Sequence, residues 1–128
     1  MFIILIQRFD GIKGEYFPSG RLTKVLVGPK SNLKANNFVM GSVKIGPNGL
    51  IPKHHHPNEE IYIILRGKGR MVIGKESKVI ERESVVYIPP NQEHYLENNT
   101  AETLEMIFVY SPATIVDHWE KERKGELG

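Results

Sequence analysis

The sequence predicts an all-β protein, an antiparallel sandwich or barrel. From residue 38 onward, short segments with strand character alternate with turn signals at close intervals, which is typical of such folds. No helical period appears before Ser111, and no internal repeat is found. The turns are built from residues that fix φ or tolerate positive φ, namely Gly46-Pro47-Asn48-Gly49, Pro57-Asn58, Gly67-Lys68-Gly69 and Pro89-Pro90-Asn91.

Eight strands are expected from residue 38 onward, and one more is expected within residues 10–37. The earlier strand covers 22–27, within a stretch rich in Gly, Pro, Lys and Asn. The eight that follow are predicted at 38–45, 53–56, 60–66, 69–73, 77–80, 84–88, 94–98 and 104–110.

The first nine residues are apolar at almost every position. A strand of this kind is covered on both faces, so we expect a strand over 1–9 whose second face is covered either by a partner subunit or by the rest of the same chain. An apolar terminal strand with a free edge readily adds to another sheet. The segment therefore predicts a homodimer, with an ordinary internal strand as the alternative.

One short helix is predicted at the end of the chain, over 112–124. Ser111 can cap it and Pro112 suits its first position, while Ile115 and Trp119 would form its apolar face. We expect this helix to close a barrel mouth or to pack on a subunit rather than to carry chemistry.

Size and composition indicate one domain over residues 1–128, with a core barrel at about 38–110. The chain is 40 % hydrophobic, carries a net charge of +2 and contains no cysteine, which suits a single soluble domain without disulfides. The small net charge argues against nucleic-acid binding. Because no apolar run approaches the roughly 20 residues of a membrane span and no secretion signal is found, a cytoplasmic location is expected.

Three histidines and a glutamate are the candidate metal ligands. Alternate side chains on a strand share a face, so His54 and His56 project together and His55 points away. Glu60 opens the next strand and can return its carboxylate to the pair, and a closed barrel can bring His94 opposite them. Imidazole nitrogens with a carboxylate oxygen suit a divalent transition ion.

The spacing of these residues resembles the two motifs of the cupin family. The first reads His54-x-His56-x3-Glu60-x6-Gly67, and the second Pro89-x-Asn91-x2-His94-x3-Asn98. Three positions depart from the family pattern. Gly49 precedes His54 by one residue fewer than usual, and Glu83 and Asn91 stand where glycine is usual. Asn readily adopts the left-handed conformation, so the turn at Asn91 is expected to be kept.

The resemblance implies a double-stranded β-helix, a jelly-roll barrel, with one metal ion inside its mouth. His54, His56, Glu60 and His94 would be the ligands by position. Without a sulfur ligand the candidate ions are iron, manganese, nickel, cobalt, copper and zinc. A mostly apolar pocket is expected around the ion, and its predicted lining, by strand parity, is Met40, Tyr62, Met106 and Phe108, with Leu104 and Tyr110 on the same face.

Four protein ligands leave one or two positions open on an ion that accepts five or six, which favours an ion that contacts a substrate. We therefore expect a metal-dependent enzyme acting on a small organic molecule, either an oxygenase or an isomerase or lyase. Glu60 would be a ligand and can also accept a proton. The alternatives are a non-catalytic module that binds a metal or a small molecule, and an ion that only stabilises the barrel.

Overall fold

The computed structural model describes residues 3–114 and 118–127, which form ten strands and one short helix. A 3-10 turn at Phe9–Gly11 precedes them. The strands are β1 (Glu15–Phe17), β2 (Arg21–Val27), β3 (Val39–Ile45), β4 (Leu50–His54), β5 (Glu59–Arg66), β6 (Lys68–Ile73), β7 (Glu76–Glu81), β8 (Val85–Ile88), β9 (His94–Glu97) and β10 (Leu104–Ser111), and the helix is α1 (His118–Arg123).

The strands build two antiparallel sheets. One has the order β1-β2-β3-β10-β5-β8 and the other the order β4-β9-β6-β7. Strands that are distant in sequence are neighbours in both sheets, since β10 lies between β3 and β5, and β9 between β4 and β6. The chain therefore crosses repeatedly from one sheet to the other. This arrangement is a jelly-roll barrel, so the predicted all-β fold class is confirmed.

The core lies between the two sheets. Val43, Ile64 and Met106 reach it from the six-stranded sheet, and Met71 and Leu96 reach it from the four-stranded sheet. All are buried. Burying such a side chain stabilises the fold by about 1.5–3 kcal/mol. The apolar side chains at alternate strand positions therefore stabilise the packing of the two sheets.

Most predicted strands agree with the structure to within one or two residues, but β4 does not. It was expected at 53–56 and is found at Leu50–His54. β4 includes Pro52, because β4 is an edge strand of its sheet, where a residue without an N–H is tolerated. His56 consequently lies beyond the strand end, in the connection to β5.

The predicted strand over residues 1–9 is not formed by residues 3–8, and residues 1 and 2 lie outside the described part of the chain. The reason is that residues 3–8 have no strand beside them among the described residues, and a strand needs a hydrogen-bonded neighbour. The side chains of Ile3 to Ile6 are 69–80 % exposed. The internal-strand interpretation is therefore wrong.

The C-terminal helix begins later than predicted. It was expected at 112–124 with Ser111 as its cap, but Ser111 ends β10 and its hydroxyl donates to the Asn37 carbonyl. Asn58 donates its side-chain amide to the Pro112 carbonyl and the Thr114 hydroxyl, and residues 112–114 are not helical. The helix that the structure describes covers His118–Arg123. Residues 115–117 lie outside the described residues, and they include Ile115, which was expected on the apolar face of the helix.

Two turns that depart from the family pattern still have the left-handed backbone. Asn91 has φ 64° and Glu83 has φ 72°, so both positions keep the conformation that glycine would adopt more readily. Gly67 has φ 83°, and a Cβ there would lie 2.6 Å from the Thr103 carbonyl oxygen. Glycine is required at Gly67 for both reasons.

Among residues 3–114 and 118–127, the structure has no helix with the length and apolar character needed to cross a membrane.

Candidate metal centre

The four candidate ligands converge in the barrel. His54 is the last residue of β4 and pairs across the sheet with His94, the first residue of β9. His56 lies in the connection that follows β4, and Glu60 is the second residue of β5. One ligand atom from each residue lies within 4.8 Å of all the others, and all four residues are buried. His55 is exposed, as the alternation predicts.

Each histidine ring is oriented by a backbone carbonyl two residues away. The Nδ1 of His54 donates to the Pro52 oxygen at 2.6 Å, and the Nδ1 of His94 donates to the Gln92 oxygen at 2.8 Å. The Nδ1 of His56 donates to the Asn58 oxygen at 3.1 Å. Because a carbonyl only accepts, each Nδ1 carries the proton. Every ring therefore has Nε2 available as a ligand atom, and its tautomer is fixed as metal-binding histidines require.

Glu60 supplies the carboxylate beside these nitrogens. Its Oε1 lies 3.2 Å from the Nε2 of His56 and 3.5 Å from the Nε2 of His94. The Nε2 of His94 is buried and has no hydrogen-bond partner within the part of the chain that the structure describes. A buried polar atom of this kind calls for a ligand. Three imidazole nitrogens and one carboxylate oxygen fit a divalent first-row transition ion better than Ca²⁺ or Mg²⁺, which prefer oxygen.

The charges of the cluster suit a cation. Burial lowers the pKa of His54 to about 3, and the neighbouring His94 acts in the same direction. Burial alone would raise the pKa of Glu60, but the hydrogen bond from His56 and the nearby imidazoles of His56 and His94 outweigh it and lower the pKa. For His56, burial is outweighed by the hydrogen bond and charge of Glu60, so its pKa is raised. Glu60 is thus ionised and His54 neutral near neutral pH, which are the forms that bind metals.

A small cavity of about 20 Å³ adjoins His54 and Glu60. Tyr62 and Phe108, both predicted to line a pocket, do line this cavity, and so does Tyr110. Burial and the charge of Glu60 raise the pKa of Tyr110 to about 12 and also raise that of Tyr62. Both phenols therefore stay protonated.

Met106 and Met40 lie elsewhere. Met106 is fully buried in the hydrophobic core cluster, together with Leu104. Met40 alternates with the inward-facing Val39 and Gly41 on β3, so it lies on the outer face of the sheet. A Cβ at Gly41 would lie 2.3 Å from the Phe108 ring, which confirms that the odd-numbered positions face inward. Met40 does not line the cavity, because its side chain lies on the opposite face of β3 from the one predicted.

The predicted pocket lining did not include the residues that α1 and β2 bring to the cavity, although the C-terminal helix was expected to close a barrel mouth. His118, Trp119 and Arg21 all line it. The ring of His118 stacks on His54 with centroids 3.7 Å apart. Arg21 is paired with Glu122 of α1, so the cavity wall holds more charge than the expected apolar lining. The signal that could have pointed to His118 is that it is the one histidine outside the two motifs and the triplet.

Asn98, the last polar residue of the second motif, has a structural role. Its side-chain amide donates to the carbonyls of Ile45, Gly46 and Glu102, and its oxygen accepts from Thr100. This side chain is buried. It therefore joins the segment after β9 to the end of β3 and the loop that follows β3.

Fold and cluster together define a jelly-roll barrel with a buried group of residues that can hold a metal ion. A protein-family model for the cupin domain matches residues 41–110. The chain belongs to the cupin family, as its two motifs indicated.

Relatives and solved structures of several kinds resemble this chain. An uncharacterised protein of Methanocaldococcus jannaschii is 31 % identical over 97 residues, which are 74 % of this chain and 76 % of that protein. The tetracenomycin polyketide synthase protein TcmJ of Streptomyces glaucescens is 24 % identical over 94 residues, 73 % of this chain and 62 % of that protein. The structure of the polyketide cyclase RemF from Streptomyces resistomycificus superimposes with a TM-score of 0.73 at 17 % identity, covering 98 % of this chain and 99 % of that one.

Proposed function

We propose that this protein is a metal-dependent enzyme that acts on a small organic molecule through proton transfer, in the isomerase or lyase class. The observation that carries the proposal is the arrangement of His54, His56 and His94, whose Nδ1 atoms all donate to backbone carbonyls while their Nε2 atoms meet the carboxylate of Glu60. A divalent ion held by these four residues would polarise a carbonyl group and acidify the adjacent carbon.

The side chains around the cluster suit acid–base chemistry. Glu60 lines the cavity and its lowered pKa keeps it ionised, so it can accept a proton from carbon. Tyr62 and Tyr110 line the same cavity with raised pKa values, so their hydroxyls can donate hydrogen bonds to the oxygen on which negative charge develops. The buried position of the cluster excludes bulk water, which strengthens these interactions.

The comparisons support a substrate that carries carbonyl groups. A polyketide cyclase shares the fold over nearly its whole length, and a relative is named as a protein of polyketide synthesis. Polyketide chains hold carbonyl groups flanking acidic carbons, which is the chemistry that the centre suits. We therefore propose a small 1,3-dicarbonyl compound as the substrate class.

A dioxygenase is the second candidate, because the cavity volume of about 20 Å³ is near that of one water-sized molecule and two aromatic rings, Phe108 and Trp119, line it. Such a space accommodates one small molecule of the size of dioxygen. Oxygen consumption by the iron-loaded protein, measured with an oxygen electrode, distinguishes this reaction from proton transfer, which consumes none.

The first experiment is elemental analysis of protein purified without a histidine tag. We expect about one equivalent of a first-row transition metal, none in the variant that combines His54→Ala and His56→Ala, and an unchanged content in His55→Ala. The last variant is the matched control, because His55 belongs to the same triplet but is exposed. Equal metal content in all three proteins would contradict the proposed centre.

The second experiment tests the reaction. Incubation of the metal-loaded protein with acetylacetone or acetoacetate in D₂O should accelerate deuterium exchange at the carbon between the carbonyls, followed by NMR. Glu60→Gln should slow this exchange by about 10²-fold or more, whereas Glu59→Gln, at an exposed neighbour, should not. Metal binding with neither exchange nor oxygen consumption would favour a binding module without catalysis.

We also propose that two copies of the chain associate through their N-terminal segments. The support is that Ile3 to Ile6 are largely exposed, and so are Val85 and Tyr87 on the edge strand β8. Exposed aliphatic residues in such a run are typical of an interface. Light scattering should give a dimer for the intact chain and a monomer for the variant Ile4→Asp with Ile6→Asp. A monomer in both cases would end this proposal.

A further inference from the structure

Helix α1 covers the candidate centre. His118 stacks on His54 with ring centroids 3.7 Å apart and an interplanar angle of 17°. Trp119 packs edge-on against Phe17 and Phe108, with centroid distances of 6.2 Å and 5.9 Å. These contacts come from the first two residues of the helix. The helix therefore forms one wall of the cavity that adjoins the metal-binding cluster.

A buried ion pair holds α1 against the barrel. Glu122 accepts hydrogen bonds from the Nε of Arg21 at 2.8 Å and from its Nη2 at 2.5 Å, and the Ser19 hydroxyl also donates to it. Both charged side chains are at most 2 % exposed. A second pair joins Arg123 to Glu15, but it is about half exposed. Because breaking a buried pair costs far more than breaking an exposed one, Arg21 and Glu122 are the main attachment.

The side chain of His118 is buried beside the cavity. The side chain is 6 % exposed, and its Nδ1 has no hydrogen-bond partner within residues 3–114 and 118–127. A buried polar atom without a partner is costly. Its position beside the cavity makes a molecule bound in that cavity the natural partner for it.

The cavity is too small for an organic substrate while α1 is in place. Its volume of about 20 Å³ accommodates about one water-sized molecule. A larger molecule reaches the cluster only when one wall of the cavity moves. The strands that line the cavity are held by backbone hydrogen bonds within the sheets, whereas α1 is attached to the barrel through side-chain contacts.

We propose that α1 is a lid that opens to admit the small molecule and closes to place the Nδ1 of His118 in hydrogen-bonding contact with it. The Arg21–Glu122 pair is the latch of this lid, and His118 is a substrate-binding residue. The contact from His118 rests on the proposed function, since it needs a molecule bound at the centre. The movement of the lid does not, and the two are tested separately.

Opening of the lid is tested on the metal-free protein by its own fluorescence. Trp119 is the one tryptophan of the chain and lies on α1, so quenching by acrylamide reports how often the helix leaves the barrel. Glu122→Gln removes the charge of the latch and should raise the quenching constant about twofold or more. Arg123→Gln breaks only the exposed pair and should leave it unchanged.

The outcome decides the proposal in either direction. Equal quenching in the three proteins, or an equal rise in both variants, would show that the Arg21–Glu122 pair does not hold a lid. Circular dichroism checks that each variant keeps its strands. If Glu122→Gln does not fold, Ser19→Ala weakens the same latch by one hydrogen bond and should produce a smaller rise in quenching, and no rise in that variant would overturn the proposal.

The contact from His118 is tested with azide on the Co²⁺-loaded protein, followed by visible absorption. His118→Phe keeps a ring for stacking on His54 but has no nitrogen, and should weaken azide binding about tenfold, as expected for one lost hydrogen bond. His118→Asn restores a polar atom near the Nδ1 position and should recover most of the affinity. Equal affinities in the three proteins would overturn the contact.

Failure of the proposed function gives a different result. If the protein takes up no Co²⁺, the metal centre and the contact from His118 are both excluded, while the quenching experiment still decides whether α1 opens.

Discussion

His54 and His94 are cross-strand partners on β4 and β9, forty positions apart in the sequence. Strand pairing sets the separation of their rings, with centroids 4.1 Å apart, and backbone carbonyls fix the orientation of both. The two nitrogen ligands are thus arranged by the sheet itself. Such a centre is preformed, and a preformed centre binds an ion without paying the ordering entropy of a flexible loop.

Metal binding should therefore stabilise the protein without changing its secondary structure. A ligand at 100 times its dissociation constant raises the free energy of unfolding by about 2.7 kcal/mol. Addition of Zn²⁺ or Co²⁺ to metal-free protein should raise Tm by several degrees, with an unchanged far-ultraviolet circular dichroism spectrum. His94→Ala should abolish the rise in Tm and His55→Ala should keep it. A large spectral change on metal addition would show that the centre is not preformed.

The stability of the metal-free protein should fall as the pH falls below 6.5. Burial lowers the pKa of His54 from 6.5 to about 3 and also lowers that of His118. Between pH 6.5 and the lowered pKa of each histidine, the unfolded chain binds a proton that the folded chain does not. The free energy of unfolding therefore decreases as the pH falls. Each histidine contributes at most about 1.4 kcal/mol per pH unit.

The contribution of His56 to stability changes with pH in the opposite direction and over a different pH range. Its pKa is raised, so its contribution is complete below 6.5 and is lost as the pH rises through the folded-state pKa. Urea denaturation at pH 5, 6 and 7 in the presence of a chelator measures the sum. His118→Phe should make the decrease between pH 6.5 and 5 shallower, and an unchanged slope would contradict the assignment to His118.

The buried pair between Arg21 and Glu122 should have a large effect on stability. Glu122→Ala leaves the guanidinium of Arg21 in the barrel without its counter-charge, and removal of one partner of a buried pair costs about 3–5 kcal/mol. The double variant Arg21→Met with Glu122→Leu should recover more than half of the loss. Arg123→Ala, at the exposed pair, should cost about 1 kcal/mol or less. A loss from Glu122→Ala no larger than that from Arg123→Ala would contradict the role of burial.

The turn at Glu83 should be improved by glycine. Glu83 has φ 72° and is exposed, and a non-glycine residue in this conformation costs about 1–2 kcal/mol. Glu83→Gly should therefore raise the free energy of unfolding by about 0.5–1 kcal/mol, after the greater flexibility of the unfolded chain is subtracted.

Lys78→Gly is the matched control for this turn, because Lys78 is an exposed residue of β7 with ordinary strand backbone. The same change there should destabilise by about 0.5–1 kcal/mol. Thermal unfolding of both variants checks the prediction. Destabilisation by Glu83→Gly would show that this side chain makes a contribution larger than its backbone strain.

The sequence by itself determined the strands of the barrel and the identity of the candidate ligands. Alternation of apolar and polar residues between turn-forming residues predicts strands because the period of a strand is two. The same rule, applied to a strand expected at 53–56, predicted that His54 and His56 share a side and that His55 points away. His55 is exposed, although the strand ends at His54. These are local properties, so they can be derived without knowing which strands pair.

Tertiary structure decided everything that depends on pairing between distant segments. Pro52 is tolerated in β4 because that strand lies at a sheet edge, and Met40 faces outward because β3 pairs with β2 and β10 in the observed register. Residues 3–8 form no strand because none lies beside them among the described residues. His118 reaches His54, and Glu122 reaches Arg21 101 positions away, only after the barrel has formed. No periodic pattern encodes such contacts, since they depend on the three-dimensional path of the whole chain.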